Sequence, residues 1–398
     1  MSTLLLADRV VLGASATGTL DVREAAAVLV EGTHIAWIGD ARDAPTADQV
    51  HRAPLLSAGL VDAHTHLAWA GSRHNEYAMR MAGADYVAIA AAGGGIVSSH
   101  LAVEAVSEDQ LVVDLAARLG RMAAQGVTSV EIKSGYGLVP ELELKQLRAI
   151  ARVAARSDLP RVVATFLALH ALPPAARERR AGYVQDAIDL VARVAEARLA
   201  AFVDAYVDEH AFTVDEARAL GHAAKSHGLG VRLHVGQFSD VGGAELAAEL
   251  GARSADHLEH LGPVGAAALA KAGVFAGLLP VASFTLNQEP PRVSQLREHG
   301  VRFFVATDAN PGTAPTESLP LAMAFAVRSY GLTPAEAWIA ATVHAALALD
   351  LADAGHLAVG ARADLVLWDM PHEVALVQPW GTPRARLVLR DGNVIHRT

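Results

Sequence analysis

The chain has 398 residues, of which 52% are hydrophobic and 19% are charged, a balance typical of folded globular proteins. A net charge of −10 argues against nucleic-acid binding, which needs clustered lysine and arginine, and the absence of cysteine excludes disulfides and thiolate metal sites. No stretch approaches ~18 uninterrupted apolar residues. The first residues also lack a secretory leader, so we expect a cytoplasmic protein with no membrane partner.

Both ends of the chain are rich in strand-forming residues. Short apolar runs separated by Gly and Asp turns lie at 9–12, 27–30 and 34–38, and again at 364–368, 386–389 and 394–395. We therefore predict a small β-sandwich domain formed by residues 1–55 and 355–398, with a larger domain at 56–354. Two separate sheets would give the same pattern.

The middle of the chain alternates between apolar runs and Ala-rich helical segments, which favours a parallel sheet with crossover helices. The runs lie at 59–67, 127–133, 162–169, 202–208, 231–234, 254–258, 274–279 and 303–307. Eight repeats within about 250 residues are typical of a (β/α)8 TIM-like barrel, an α/β fold. A doubly wound sheet would need a phosphate-binding turn after its first strand. Gly93-Gly94-Gly95 does not supply that turn, and we predict a flexible loop there.

Two histidines separated by one residue end the first run. On a strand His64 and His66 project to the same face, where they can hold one divalent metal. Because a catalytic metal needs about three protein ligands or more, we expect His234 and Asp308, which follow later runs, to complete the site. Asp308 can also accept a proton from the attacking water. The plainer alternatives are two structural histidines in a strand and a helix N-cap at Asp308.

A barrel builds its active site where its strands end, and other reactive groups also stand there. His257 is a candidate proton carrier, although a lone histidine of this kind is often structural. Arg73 can bind a carboxylate through two hydrogen bonds, unless it is only a solvated loop charge. Further strand-end groups are Tyr136, His170, the 208–210 segment, Gln237 and Asn310. Histidines outside this register are predicted at the surface, among them His74, His100, His222, His227, His299 and His372.

With these residues in place, the chain resembles the amidohydrolase superfamily and, within it, the imidazolonepropionase family. The superfamily features are the 62–66 motif, His234, His257, Asp308 and the 360–366 segment. More specific motifs are Ala70-Gly71-Ser72-Arg73, Gly93-Gly94-Gly95-Ile96, Glu131-Ile132-Lys133-Ser134-Gly135-Tyr136-Gly137-Leu138, His170-Ala171-Leu172-Pro173-Pro174 and Thr307-Asp308-Ala309-Asn310-Pro311-Gly312-Thr313. The chain departs from the family pattern at Ala168-Leu169, Val281-Ala282-Ser283 and His344.

The resemblance implies hydrolysis of 4-imidazolone-5-propanoate, a small acidic substrate, to N-formimidoyl-L-glutamate by a homodimer with one zinc or iron ion. A metal-activated hydroxide would attack the ring carbonyl while Asp308 moves protons, with His257 as a second candidate. By motif, the implied metal ligands are His64, His66, His234 and Asp308, the catalytic groups are Asp308, His257 and Gln237, and the substrate contacts are Arg73, Tyr136, His170, Gln237, Asn310, Gly312 and Thr313. Another cyclic amidase, a purine or pterin deaminase, or a non-catalytic metal-binding scaffold are the alternatives.

Overall fold

Two β-sheets organise the computed structural model, which describes residues 2–84, 93–382 and 384–398. The larger sheet contains eight parallel strands in chain order and confirms the predicted barrel. Its strands are β5 (Leu60–Asp62), β6 (Val127–Lys133), β7 (Arg161–Leu169), β8 (Phe202–Val207), β9 (Gly230–Val235), β10 (Ser254–His257), β11 (Phe275–Leu278) and β12 (Phe303–Val305). Each of the eight predicted runs overlaps one of them.

The barrel closes just beyond the ends of its first and last strands. Thr65, which follows β5, forms a parallel bridge with Ala309, which follows β12. The Asp308 N–H donates to the His64 carbonyl and the His66 N–H to the Ala309 carbonyl, both at 3.0 Å. The backbone of His64, His66 and Asp308, three of the residues expected to bind metal, therefore forms the hydrogen bonds that close the barrel. These bonds bring residues 64–66 next to residues 308–309.

Helices surround the barrel and follow its strands. Two of them start with a reciprocal capping box, in which Thr213 pairs with Glu216 and Thr333 with Glu336. The described α-helices are His74–Met81, Ile96–Ala105, Glu108–Ala123, Pro140–Ala154, Arg180–Glu196, Val214–Ser226, Gly243–Leu250, Pro263–Ala272, Pro280–Leu286, Val293–His299, Leu319–Ser329, Pro334–Ile339 and Ala345–Ala348, with a π-helical turn at Ala340–His344 and 3-10 turns at Ala41–Asp43, Pro174–Arg179 and Glu373–Leu376. Among the described residues no helix combines the length and apolar character that a membrane crossing requires.

The second sheet takes strands from both ends of the chain, as predicted. Its order is β15-β14-β13-β4-β1-β2-β3. The strands are β1 (Ser2–Ala14), β2 (Leu20–Glu31), β3 (His34–Asp40), β4 (Gln49–Ala58), β13 (Leu365–Trp368), β14 (Ala385–Arg390) and β15 (Asn393–Arg397). Strand β4 was not predicted, because its first half is polar and it contains Pro54. It nevertheless joins the two halves, parallel to β1 and antiparallel to β13.

One tryptophan fastens the small sheet to the barrel. Trp368 ends β13, is buried, and donates from its indole nitrogen to Ser57 Oγ at 2.8 Å. Its ring lies against Gly126, where an added Cβ would stand 2.2 Å from the indole, and Gly126 also adopts a φ of +87°. Glycine is therefore required at the entry to β6 both for backbone conformation and for space.

Candidate metal centre and active site

Four predicted ligands meet at the carboxyl end of the barrel. His64 and His66 follow β5, His234 lies on β9, and Asp308 follows β12. The side chain of Asp62 fixes the pairing of the first and last strands, since it accepts hydrogen bonds from the Thr307 N–H and hydroxyl at 3.1 and 2.7 Å. All four ligand side chains are buried.

The spacing of the ligand atoms fits a four-coordinate divalent metal. His66 Nε2 lies 3.3 Å from both His234 Nε2 and Asp308 Oδ1, and His64 Nε2 lies 3.5 Å from the same carboxylate oxygen. A tetrahedron with bonds of roughly 2.0–2.1 Å has edges of about 3.3–3.4 Å. Within the described parts of the chain, His64 Nε2 and Asp308 Oδ1 are buried and have no hydrogen-bond partner. Such polar atoms are costly to bury unless something else binds them.

Two buried carboxylates orient the histidine rings. His64 Nδ1 lies 2.7 Å from Asp256 Oδ2, and His234 Nδ1 lies 3.1 Å from Asp204. Each Nδ1–H donates to its carboxylate, so each Nε2 keeps its lone pair for a metal. Burial lowers the pKa of His64 well below its usual value and the pKa of His234 to about 4. The rings are therefore neutral at pH 7, which is the form that binds metal.

Asp204 and Asp256 were missed from the sequence. Each is an acidic residue inside a barrel strand, β8 and β10 respectively, and each is fully buried. That placement was a usable signal, because a carboxylate on the inward face of a barrel strand needs a buried partner. The alternation of side chains along a strand does not reveal which residue is that partner.

His257 and Asp308 both have a backbone conformation that is unfavourable for residues with a Cβ. Their φ angles are +82° and +55°, and Leu258 follows at +71°. Left-handed φ values at residues other than glycine cost free energy and cluster at functional sites. The turn after β10 and the turn after β12 thus aim both side chains into the barrel mouth.

His257 lies beside a second buried polar group that was also missed. Its Nδ1 is 3.9 Å from Glu259 Oε2, and among the described residues neither atom has a hydrogen-bond partner. The other oxygen of Glu259 accepts from the Ser283 hydroxyl at 2.6 Å, and Ser283 also contacts the Tyr330 hydroxyl. Ser283 belongs to the segment where the chain departs from the family pattern, and here that residue holds Glu259.

Tyr136 and His170 form one wall of the mouth. Their ring centroids lie 5.4 Å apart, and His170 stacks on His66 at 5.3 Å with 24° between the planes. His170 Nδ1 lies 2.7 Å from the Gly135 carbonyl, so Nδ1 carries the proton and Nε2 is left as an acceptor. Burial raises the pKa of the Tyr136 phenol, so the hydroxyl keeps its proton. Glu143 fixes the loop that carries Tyr136, because it accepts hydrogen bonds from the Gly135 and Leu138 N–H groups.

Arg73 lies at the edge of the barrel mouth, and part of its guanidinium forms hydrogen bonds with a neighbouring carboxylate. Its Nε and Nη2 both donate to Glu76, which also accepts from Arg80 and from the Gly95 N–H. One edge of the guanidinium is thus occupied. Gly312 packs against the face of the guanidinium, since an added Cβ there would lie 2.2 Å from Nη1, 2.4 Å from Cζ and 2.7 Å from Nη2. Arg73 therefore packs against the loop that begins at Asp308.

The remaining predicted contacts have distinct surroundings. Asn310 Oδ1 accepts from the Gly312 and Thr313 N–H groups at 2.9 and 2.7 Å, so Asn310 shapes the turn. The buried side chain of Gln237 accepts from the Tyr206 hydroxyl at 2.8 Å through Oε1, which leaves its amide nitrogen as a donor. The half-buried Thr313 hydroxyl lies 3.0 Å from Asn310 Nδ2.

Two predicted placements differ in the structure. Asp208 does not point to the metal ligands; it accepts from the Phe238 N–H and the Ser239 hydroxyl and so fixes the loop after β9. His100 is half-buried rather than at the surface, with Nδ1 3.3 Å from the Tyr136 carbonyl. Its helix, Ile96–Ala105, packs beside the Tyr136 loop, a long-range contact that sequence spacing does not reveal.

Solved structures with the same fold cover the whole chain. The structure of A. niger ochratoxinase aligns with a TM-score of 0.72 and 21% identity, covering 100% of this chain and 96% of that one. Triazine hydrolase from Arthobacter aurescens aligns with a TM-score of 0.78 and 14% identity, covering 100% and 95%. At such identities the likeness establishes the barrel and its accompanying sheet alone.

Sequence relatives establish the family. The model of the amidohydrolase family matches residues 55–396. A curated imidazolonepropionase from Anaeromyxobacter sp. (strain K) is 44% identical, covering 100% of this chain and 96% of its own. Another from Cupriavidus pinatubonensis (strain JMP 134 / LMG 1197) is 45% identical, covering 94% and 90%. The chain therefore belongs to the amidohydrolase family and, within it, to the imidazolonepropionase group of hydrolases.

Proposed function

We propose that this protein hydrolyses the ring amide of 4-imidazolone-5-propanoate to N-formimidoyl-L-glutamate, the reaction of histidine degradation. The observation that carries the proposal is that the metal-binding side chains and one guanidinium, Arg73, meet around the same loop, 308–313. A metal centre alone suits many hydrolases. A guanidinium that packs on the loop carrying Asp308 suits a substrate ring that carries a carboxylate.

The ligand set supports one divalent metal, and we propose zinc or iron held by His64, His66, His234 and Asp308. Neutral imidazoles with a carboxylate suit both metals. Such an ion supplies Lewis acidity that activates water and polarises a carbonyl at neutral pH. Elemental analysis of the purified protein tests the identity and number of the ions.

The chain's own groups then move the protons. Asp308 takes a proton from the water that adds to the ring carbonyl, since its carboxylate lies beside the His64 and His66 rings of the ligand cluster. As the ring C–N bond breaks, the released nitrogen needs a proton, which we assign to His257 at the adjacent strand end. Water thus supplies the oxygen of the new carboxyl group and one proton that reaches the ring nitrogen, and the carboxyl group releases the second proton of water to solvent when it ionises.

The remaining contacts orient the substrate. Glu76 occupies the Nε–Nη2 edge of Arg73, so the propionate carboxylate meets the Nη1 side. The amide nitrogen of Gln237 donates to the substrate, and His170 Nε2 accepts from a ring N–H. The Tyr136 hydroxyl is a neutral donor. After ring opening, Asn310, Gly312 and Thr313 face the product.

A direct assay tests the proposal. Metal-loaded protein is incubated with 4-imidazolone-5-propanoate while the loss of ring absorbance and the formation of formimidoylglutamate are followed. We expect one product per substrate consumed. Ammonia release from a purine or pterin instead would favour an aminohydrolase. No turnover of any of these by protein that binds metal would favour a non-catalytic scaffold.

We further propose that the protein acts as a cytoplasmic homodimer, which is supported by the family resemblance. Multi-angle light scattering of the purified protein tests the dimer, with a mass close to twice 41.6 kDa expected. A mass of one chain at micromolar concentration would contradict it.

A further inference from the structure

A buried lysine lies directly beneath the metal-binding side chains. Lys133 is the last residue of β6 and is fully buried. Its Nζ lies 2.9 Å from Glu131 Oε1 and 2.8 Å from Asp204 Oδ2. A buried ammonium is costly unless it is paired and hydrogen-bonded, and here two carboxylates satisfy it. The resemblance to the family gave this residue no role.

One of these carboxylates reaches the first pair of ligands. Glu131 Oε2 accepts from the N–H of Thr65, the residue between His64 and His66, at 3.1 Å. The Thr65 hydroxyl donates to the Glu131 carbonyl at 2.6 Å, and the Lys133 N–H donates to the Thr65 carbonyl at 2.9 Å. The backbone that carries both histidines is therefore fixed from β6.

The other carboxylate reaches the third ligand. Asp204, on β8, accepts from Nδ1 of His234, on the adjacent strand β9. Among the described side chains, the Lys133 ammonium is the group that contacts both Glu131 and Asp204, and it lies between β5 on one side and β9 on the other.

We propose that Lys133 is a positioning residue that couples the His64–His66 arm of the metal site to the His234 arm. The proposal rests on the metal-dependent function proposed above. Because its ammonium has no lone pair and both acceptors are carboxylates, Lys133 does not bind the metal itself. It sets the distance between ligands that lie on different strands.

The second buried cation of the barrel has a narrower role. Arg232 lies 3.3 Å from Asp256, the partner of His64, and donates to the Ala63 carbonyl at 2.7 Å. Both contacts lead to the His64 arm. Lys133 alone, among the cations described near the site, contacts groups that hold both arms.

The test compares Lys133→Met with Ser129→Ala. Methionine keeps the length of the side chain without its charge. Ser129 lies on the same strand and the same inward face, and its buried hydroxyl has no partner in the described structure, so its removal leaves the network intact. Zinc affinity is measured by chelator competition with the apoprotein, and the visible spectrum of bound Co²⁺ reports ligand geometry.

We expect Lys133→Met to bind zinc about 10- to 100-fold more weakly and to show an altered Co²⁺ spectrum, while Ser129→Ala matches the wild type. The double variant Lys133→Met/Glu131→Gln removes one charge of each sign. It provides a folded sample if the single variant does not fold, with the same loss of affinity expected.

Each other outcome overturns the proposal. Wild-type affinity and spectrum in either folded Lys133 variant would show that the arms are held without the ammonium. If both Lys133 variants fail to fold while Ser129→Ala folds, Lys133 belongs to the folding of the barrel rather than to the metal site. A wild-type protein that binds no metal would instead refute the proposed function on which this inference rests.

Discussion

The proposed metal centre and the proposed carboxylate-binding edge of the mouth, which contains Arg73, are held by different parts of the fold. The metal centre rests on barrel strands, and buried carboxylates hold the Nδ1 atoms of His64 and His234. Arg73 instead precedes a short helix and is held by Glu76 and by the packing of Gly312. The comparison indicates that the fixed part of the barrel carries the chemistry, whereas loops carry selectivity. Substitutions should therefore divide into those that change kcat and those that change KM.

The largest effect is expected at Asp308. Asp308→Asn removes the proton acceptor and one charged ligand, so kcat should fall about 10²- to 10⁴-fold. Steady-state kinetics and metal content measure it. Asp208→Asn is the matched control: it also follows a barrel strand, but its contacts are with loop groups, so the amide loses one of two backbone N–H bonds and no ligand of the proposed metal site. A kcat for Asp308→Asn within threefold of the control would contradict the assigned role.

The next largest effect is expected at Arg73, in the proposed carboxylate-binding edge. Arg73→Ala removes hydrogen bonds to a charged substrate group, and we expect KM to rise about 10- to 100-fold with kcat nearly unchanged. Arg80→Ala is the control, because Arg80 shares Glu76 but donates to the Gly312 carbonyl. An unchanged KM in Arg73→Ala, or an equal rise in both variants, would remove Arg73 from the substrate site.

Crowding Arg73 should have a smaller effect of the same kind. Gly312→Ala places a Cβ 2.2 Å from Nη1 and displaces the guanidinium, so we expect KM to rise up to roughly tenfold. Gly120→Ala adds the same methyl group on a helix, where no described atom beyond the helix's own backbone lies within 4 Å, and it should behave as wild type. A kcat loss without a KM change in Gly312→Ala would mean that the loop serves the metal centre instead.

The smallest effect is expected at Tyr136. Tyr136→Phe removes one neutral hydrogen-bond donor and keeps the ring that packs near His170, so kcat/KM should fall about 2- to 10-fold. Tyr183→Phe removes a hydroxyl that donates to the carbonyl of Ala171, the residue after His170, and it should leave kcat/KM nearly unchanged. Equal losses in the two variants would assign Tyr136 to structure only.

The barrel could be predicted because its signals are local. Apolar runs alternating with helical segments marked all eight strands, and the two-residue period of a strand placed His64 and His66 on one face. Closure of the barrel then brought Asp308 beside them. Strand β4 escaped prediction because its sheet neighbours, β1 and β13, determine its conformation more than its own composition does.

The buried carboxylates that orient the ligand histidines could not be predicted, because their partners depend on which strands are adjacent. In the sequence, Asp204 and Asp256 appear only as acidic residues within predicted strands. Their partners lie 30 and 192 residues away along the chain. The ion pair between Glu76 and Arg73 could not be predicted either, since Glu76 has helical spacing to both Arg73 and Arg80. The structure shows that it binds both. The left-handed φ values of His257 and Asp308 have no signature in their own residue types.

The most direct test of the account is a titration of metal-free protein with zinc or ferrous ion while ring opening of 4-imidazolone-5-propanoate is followed. We predict no turnover without metal and a linear rise in rate that ends at one ion per chain, because the two groups of described residues that could hold a metal share His64 and so form one site. Full turnover by the metal-free protein, or a rate that rises until two ions per chain are bound, would contradict it.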